Sequence, residues 1–398
     1  TATGAAYDSV TRVFAANFTV QNLLVNKLGT ADGASVAGII VFFHSGPTAT
    51  SGSGAIEVLN PAGTGLFTGS GQPYYFYNEV LSYQQVTAPQ SWQWSVPTSV
   101  ATFAFTLFIQ APVLPVVVFD QQDASGNRDI WRVALDGSDL VAITTNLGED
   151  RDPTVARNQV VWVTYRHGQG ELYSKSIFGG AETRLTSTSG HEYEPALSPD
   201  AARVAYSRDS GGVPKLFTAN ANGTGAALAY TGFGSGATID GGPTWLTETR
   251  LAFMSTAGGG ADLWDLSMPG TPTLLAALTD ATVVPVRQSN EVEPEWSPDG
   301  TKIAFASDME RIGGVSDTEI FVKNVSSGVV TRLTNRAGTD GHPTWLSDGR
   351  VVYVAYVSVP GVGTRGRLRW VDPANPGVHT DIPLNFNLRS ERPVAVRF

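Results

Sequence analysis

The sequence has no cysteine, few charged residues and no long uninterrupted apolar run. Without cysteine, the fold has no disulfides and depends on packing alone. Because no stretch of about 18 apolar residues occurs, the sequence predicts no membrane-spanning helix. Charged side chains make up 16% of the chain, against about a quarter in typical globular proteins.

Positive charge is also scarce, and the formal net charge is −10. Nucleic-acid binding needs clustered Lys and Arg to displace counterions, so the composition argues against a nucleic-acid partner. The chain begins with Thr rather than Met, and we interpret this as the result of signal-peptide removal. We therefore expect an exported bacterial protein, extracellular or on the cell surface, with the periplasm as the alternative.

Groups that would form a catalytic centre are sparse as well. The five histidines show no metal-ligand spacing and no His-Glu-x-x-His motif; they are His44, His167, His191, His342 and His379. The run at 232–236 (GFGSG) has its serine one position too late for a hydrolase Gly-x-Ser-x-Gly motif. The sequence also shows no α/β domain in which such a motif would lie. We predict that the protein is not an enzyme and has no cofactor.

What the sequence does contain is a repeat. A Pro-x-Trp-like pattern returns six times, most clearly as EPEWSPDG at 293–300 and EPALSPD at 194–200. Its prolines, separated by 42, 48, 51, 49 and 50 residues, are Pro153, Pro195, Pro243, Pro294, Pro343 and Pro393. A period of this length built from short strands indicates a propeller or another repeat array.

Each repeat reads as four antiparallel strands with Gly, Asp and Asn turns. Residues 115–145 supply three strands without a preceding Pro-x-Trp strand, whereas the chain ends on a Pro-x-x strand at 391–398. An open array would leave unpaired edges at both ends. We therefore predict a six-bladed β-propeller over 115–398, in which the C-terminal strand completes the first blade.

The repeat elements Pro-x-Trp-Ser-Pro-Asp-Gly, Ile-Ala-Phe and Thr-Arg-Leu-Thr resemble those of TolB-type six-bladed β-propellers. The resemblance covers roughly residues 115–398 and is most specific at 293–334. It implies the fold strongly and an activity weakly, because the family includes periplasmic interaction proteins and the propeller portions of some peptidases and lyases.

Acidic residues recur three positions before the key prolines and form the main candidate site. They are Asp150, Glu192, Asp240, Glu291 and Asp340. If their loops surround one mouth of a central channel, the carboxylates offer clustered oxygen ligands to a cation such as Ca²⁺. The alternative, which the regular recurrence favours, is a structural role in joining neighbouring blades.

Residues 1–114 lack the repeat and carry only six charged side chains. Strand candidates alternate apolar and polar residues, as in Thr102–Gln110, where Phe103, Phe105 and Leu107 share one face. Six to eight such strands separated by Gly, Pro, Ser and Thr predict an immunoglobulin-like β-sandwich, which makes the whole chain all-β.

Low charge on a small domain points to contact surfaces. We predict a non-catalytic protein that works through protein–protein contacts and is the subunit of an extracellular homopolymer. In this prediction the partner is a second copy of the chain, and the segment Thr1–Ala6 (TATGAA) adds a strand to its sheet. The alternatives are a propeller enzyme (lyase or hydrolase) at the channel mouth, a monomeric TolB-like periplasmic binding module, and a Thr1–Ala6 segment that packs along its own domain.

Overall fold

Period-2 alternation and frequent Gly and Pro turns make the regular secondary structure of the described residues almost entirely antiparallel strand. A computed structural model describes residues 1–123, 125–231, 238–276, 279–280, 287–309, 317–361, 363–384 and 389–395. The chain divides into two compact units, Thr1–Pro115 and Val116–Phe398. In the described residues, no helix has the length and apolar character that crossing a membrane requires.

The first unit contains two four-stranded sheets and a two-stranded ribbon. One sheet has the order β1-β2-β8-β5, the other β6-β7-β4-β9, and β3 pairs with β10. The strands are β1 (Ala2–Asp8), β2 (Val13–Phe18), β3 (Lys27–Leu28), β4 (Ile39–Gly52), β5 (Glu57–Val58), β6 (Gly63–Gly65), β7 (Gln72–Tyr77), β8 (Gln90–Ser95), β9 (Val100–Gln110) and β10 (Val113–Leu114).

An aromatic core is shared by the two sheets. Trp92 and Trp94 of β8 are fully buried against Phe43 of β4 and Tyr77 of β7. The ring of Tyr75 stacks on that of Trp92 with centroids 4.0 Å apart. The N-terminal strand β1 pairs with β2 of the same chain, which corresponds to the alternative of packing along its own domain.

The second unit begins with three antiparallel strands. They are β11 (Val116–Gln122), β12 (Arg128–Ala134) and β13 (Val141–Ala142). The next two sheets follow the chain in order. Their strands are β14 (Asp150–Ala156), β15 (Gln159–Thr164), β16 (Glu171–Ser176) and β17 (Thr183–Arg184), then β18 (Glu192–Leu197), β19 (Arg203–Ser210), β20 (Val213–Asn220) and β21 (Ala227–Leu228).

Three further four-stranded sheets complete this pattern. Their strands are β22 (Asp240–Thr247), β23 (Arg250–Ser255), β24 (Asp262–Ser267) and β25 (Thr273–Ala276); β28 (Glu291–Trp296), β29 (Lys302–Ser307), β30 (Glu319–Asn324) and β31 (Val330–Arg332); and β32 (Asp340–Trp345), β33 (Val351–Val359), β34 (Gly363–Val371) and β35 (His379–Asp381). A short ribbon of β26 (Thr279–Asp280) and β27 (Arg287–Gln288) lies between β25 and β28 in the chain, and a 3₁₀ turn at Thr256–Gly258 lies between β23 and β24.

The last strand, β36 (Arg389–Ala395), pairs with β11 and so completes the first sheet with a strand from the other end of the unit. The predicted pairing of the C-terminal segment with the strand near 115–120 is therefore observed, while residues 396–398 lie outside the described part. Strands β14, β18, β22, β28, β32 and β36 contact one another in cyclic order. A ring of sheets around a central axis is the arrangement of a β-propeller.

Tryptophans of the Pro-x-Trp elements fasten neighbouring sheets together. The Trp245 indole N–H donates to the carbonyl of Ala196, and that of Trp345 donates to the carbonyl of Glu295. Each acceptor is the residue after the key proline of the preceding sheet. The guanidinium of Arg203 lies over the ring of Trp245, 5.3 Å from its centroid, which adds a cation–π contact.

Candidate functional site

The prolines of the repeat face the axis of the ring and line a narrow central channel. Around its constriction, of about 120 Å³, lie Pro153, Pro195, Pro243, Pro294, Pro343 and Pro393. Because each proline comes from a different inner strand, the neighbouring residues of these strands also meet at the axis. The channel is thus a place where side chains far apart in sequence converge.

A β-bulge in each inner strand controls which way the residue before the proline points. The register shifts at this point in β14, β18, β22, β28 and β32. The pre-proline residue there has a positive φ, between 49° and 55°; these residues are Asp152, Glu194, Gly242, Glu293 and His342. A bulge turns a strand locally and redirects a side chain. Four of these five residues are not glycine, although the left-handed conformation is costly for them.

On one side of the constriction the channel opens into a mouth of about 580 Å³. Its lining includes the carboxylates of Asp152, Glu194 and Glu293, the imidazole of His342, and the guanidinium of Arg151. Tyrosines complete the wall; they are Tyr165, Tyr193 and Tyr356. The mouth therefore combines net negative charge with aromatic surface.

Carboxylates at the mouth link three pairs of neighbouring sheets. Glu194 Oε2 accepts a hydrogen bond from the backbone N–H of Gly242 at 2.7 Å, and Glu293 Oε2 accepts one from His342 at 2.6 Å. In addition, Nδ1 of His342 lies 3.0 Å from Oε1 of Glu293. The buried Asp120, paired with Arg128, accepts from the backbone N–H of Asp152 at 3.3 Å. These bonds fix the positions of the mouth residues.

Two of the tyrosines at the mouth have polar or cationic contacts. The Tyr193 hydroxyl donates to Oδ2 of Asp209 at 3.0 Å. Burial, together with this bond, raises the pKa of Tyr193 to about 12. The guanidinium of Arg151 lies 5.8 Å from the ring centroid of Tyr165. These rings offer contact surface at low entropic cost, as tyrosines do at protein interfaces.

The five acids predicted from the sequence are positioned differently, at the starts of the inner strands. All are at most 2% exposed, and Asp240 alone among them lines the described mouth. Glu192 accepts from the hydroxyls of Thr186 and Thr188 at 3.0 and 2.5 Å. Asp340 accepts from Arg336 Nη2 at 2.6 Å. Their bonds favour the structural alternative.

The other three acids also have partners close by in sequence. Asp150 lies 3.4 Å from Arg166 Nη2. Asp240 accepts from the hydroxyls of Tyr230 and Ser255 at 2.7 and 2.6 Å. Glu291 accepts from the hydroxyls of Ser289 and Ser307 at 2.6 and 3.1 Å.

A cation site would need several of these oxygens to converge. Across the described residues, no three His, Cys, Asp or Glu side chains come together in a way that could hold a metal ion. The residues that do converge at the axis are the pre-proline residues, two positions further along each strand. The sequence contained a signal for them, because they share the same 42–51-residue period, but the positive φ that turns them inward has no sequence signature.

Comparison with known proteins supports a TolB-like propeller. No protein-family model matches this chain. A TolB homolog from Chlorobium luteolum is 29% identical over 175 residues, which is 44% of this chain and 36% of that protein. The Tol-Pal system protein TolB of Francisella tularensis (strain WY96-3418) is 27% identical over 207 residues, 52% of this chain and 44% of its own length. The matches thus span less than half of these relatives.

Solved structures show the same fold at lower identity. TolB from Acinetobacter baumannii superimposes with a TM-score of 0.58 at 14% identity, covering 86% of this chain and 82% of that one. A putative TolB from Agrobacterium tumefaciens gives 0.52 at 16% identity, covering 70% and 96%. This chain therefore contains a β-propeller of the TolB type, similar to TolB proteins in sequence over about half its length.

Proposed function

We propose that this chain is a non-catalytic bacterial protein that acts through protein–protein contacts, and that the channel mouth binds a segment of a partner protein. The observation that carries the proposal is the convergence of Asp152, Glu194, Glu293 and His342 with three tyrosines in one open cavity. Acidic and aromatic side chains together suit a partner segment that presents basic and aromatic groups. Several relatives are named as Tol-Pal system proteins, which agrees with a role in an assembly rather than in catalysis.

The architecture we infer has six blades. The cyclic contacts of the inner strands and the β11–β36 pairing support a six-bladed propeller closed by the C-terminal strand. Two four-stranded sheets with a common aromatic core support an immunoglobulin-like first domain. For location we propose export from the cytoplasm, to the cell surface, the medium or the periplasm, in keeping with the family that the repeat resembles.

An enzyme at the same mouth would need a base, an acid and a charge stabiliser aimed at one reacting atom. Glu194 and Glu293 instead accept hydrogen bonds from backbone amides of the next sheet. His342 faces Glu293 within the same set of contacts. These groups are arranged to hold the sheets and present charge, which supports a binding function.

Photocrosslinking in the producing cells tests the binding function. A photoreactive benzoylphenylalanine in place of Tyr356 at the mouth should form a covalent adduct with a partner protein, whereas the same residue in place of the fully exposed Leu147 should not. Glu194→Gln keeps an acceptor for Gly242 but removes the charge, and it should weaken the adduct formed at position 356. Glu248→Gln, at an exposed position, is the matched control. Equal crosslinking from positions 356 and 147 would refute the proposal.

Self-assembly is the second function that we propose, through the first unit. Two observations favour it: the unit has six charged residues, and the long strands at its sheet edges, β1 and β9, carry one charge between them, at Asp8. Natural proteins normally protect exposed edges with charge, proline or bulges. A homopolymer built through such edges is the assembly expected here.

A further inference from the structure

Strand β9 forms one edge of the second sheet of the sandwich. Its neighbour within the sheet is β4, and it has no second strand neighbour among the described residues. Its sequence, VATFAFTLFIQ, contains no charge, proline or glycine. Such residues are the usual means by which proteins prevent edge strands from pairing with other chains. The edge is therefore open to backbone pairing along its length.

The β9 edge is also regular. Three of the four irregularities in the β4–β9 ladder place extra residues on β4, and the fourth places one at Ala101 of β9. From Thr102 to Gln110 β9 therefore has no bulge. Nine residues in extended conformation span about 30 Å, which is long enough for a stable antiparallel ladder with another strand.

Side chains along β9 leave apolar surface uncovered. Phe108 is 43% exposed and Ile109 is 55% exposed. Phe103, Phe105 and Leu107 are only partly buried, although they pack against the core of the sandwich. A strand placed against β9 would cover these groups, so that pairing would bury apolar area as well as satisfy backbone groups.

We propose that β9 pairs antiparallel with β9 of a second copy, about a two-fold axis at Thr106; the inference rests on the self-assembly proposed above and assigns it an interface. In this register, large apolar side chains face each other on the core side of the sheet. On the outer side, a small side chain faces a large one. The facing pairs are Thr106 with Thr106, Phe105 with Leu107, Phe103 with Ile109, and Ala104 with Phe108.

The absence of charged residues from β9 favours a second copy of this strand as its pairing partner. Two-fold pairing of a strand with itself places a charge at or beside the axis close to its own copy, where like charges repel. The absence of charge from β9 removes this penalty, and nothing in the strand offers a complementary charge to a foreign segment. The contact is isologous and so closes as a dimer. A polymer would need a second interface in addition.

Sedimentation velocity on the full chain, across roughly 1–100 μM, tests the pairing by mass action. The wild-type chain should dimerise. Thr106→Lys, on the exposed outer side of β9, should weaken dimerisation by about tenfold or more because the two lysines meet at the axis. Thr64→Lys introduces the same change on an exposed residue of β6, at the opposite edge of the sheet, and should have no effect.

Mixing provides the decisive measurement. Thr106→Glu alone should dimerise as weakly as Thr106→Lys alone, but an equimolar mixture of the two variants should form a heterodimer, since position 106 faces itself. A monomeric wild-type chain, a dimer that survives Thr106→Lys, or a mixture that stays monomeric would overturn the interface. If the Thr106→Lys chain still assembles through another surface, the self-assembly proposal is supported but the β9–β9 interface is wrong. Partner binding at the channel mouth is measured separately by crosslinking.

Discussion

At the scale of single residues, a threonine in the fourth strand region of the repeat bonds its segment to the neighbouring strand. The hydroxyl oxygens of Thr186 and Thr334 accept the backbone N–H of Leu172 and Ile320, at 2.8 and 2.9 Å. The same hydroxyls donate to buried carboxylates, Thr186 to Glu192 at 3.0 Å and Thr334 to Glu319. Thr144 repeats the contact with Ile130 at 2.9 Å. The last threonine of the Thr-Arg-Leu-Thr element is therefore a structural residue.

Replacing Thr334 by Val keeps the shape of the side chain but removes both hydrogen bonds. The buried carboxylate of Glu319 and the amide of Ile320 then each lose a partner, so the propeller should lose about 1–3 kcal/mol of stability. Urea unfolding followed by tryptophan fluorescence measures the change. Thr331→Val, at an exposed position on β31, should change the stability little. Equal effects of the two substitutions would contradict the role assigned to Thr334.

Buried carboxylates make stability depend on pH. Burial raises the pKa of Asp340 from 3.8 to about 6, although Arg336 acts in the opposite direction. Burial also raises the pKa of Asp129 to about 6. The folded state thus binds protons more tightly than the unfolded chain. The resulting stabilisation is complete below about pH 4 and is lost as the pH rises through about 6.

Thermal unfolding at a series of pH values checks the direction in which stability changes with pH. Lowering the pH from about 7.5 to about 5 should raise the melting temperature of the propeller, because Asp340 and Asp129 take up protons in the folded state. Asp340→Asn should make this dependence shallower, and Asp348→Asn, at an exposed position, should leave it unchanged. A melting temperature that falls steadily over this range in the wild-type chain would show that other groups dominate.

At the scale of elements, each inner strand carries two residues with different roles, two positions apart in the sequence. Its first residue is a buried acid bonded to nearby hydroxyls or guanidinium groups, as in Glu192. Its pre-proline residue, such as Glu194, is turned to the axis by the bulge. A regular strand would send residues two apart to the same face. The bulge separates them, so one carboxylate holds the blade and the other lines the mouth.

At the scale of the whole molecule, β36 closes the ring. It pairs with β11 from Val117↔Ala395 to Gln122↔Arg389, and it contacts the inner strands β14 and β32. Removing it would expose the edge of β11, whose side chains are almost all buried. Ring closure therefore links the two ends of the unit into one cooperative structure.

Deleting residues 391–398 should strongly lower the melting temperature of the propeller, since it removes most of β36 and opens the ring. Deleting residues 1–8, which removes a strand of similar length from the first unit, is the matched control and should leave the propeller transition in place. Differential scanning calorimetry resolves the two outcomes. A propeller transition unaffected by the C-terminal deletion would disprove the closure.

The sequence by itself determined the all-β fold and the repeat, because strand alternation and a regular period are local patterns. It predicted the C-terminal closure because the first repeat lacks one strand and the chain ends on an additional one. The buried roles of Trp162, Trp296 and Trp345 follow from the same patterns. Two features depended on tertiary structure. The five repeat acids look alike in sequence as possible ligands, and only the folded structure gives their burial and their bonds to nearby hydroxyl and guanidinium groups, which favour a structural role.

The second feature is position within the fold. The alternation in Thr102–Gln110 predicts a strand, but only the pairing of distant segments makes β9 an edge. In the same way, sequence gives the period of Asp152, Glu194, Glu293 and His342, whereas the bulges and the closed ring bring them to one mouth. Local preferences select strands and turns, and non-local pairing decides which residues meet.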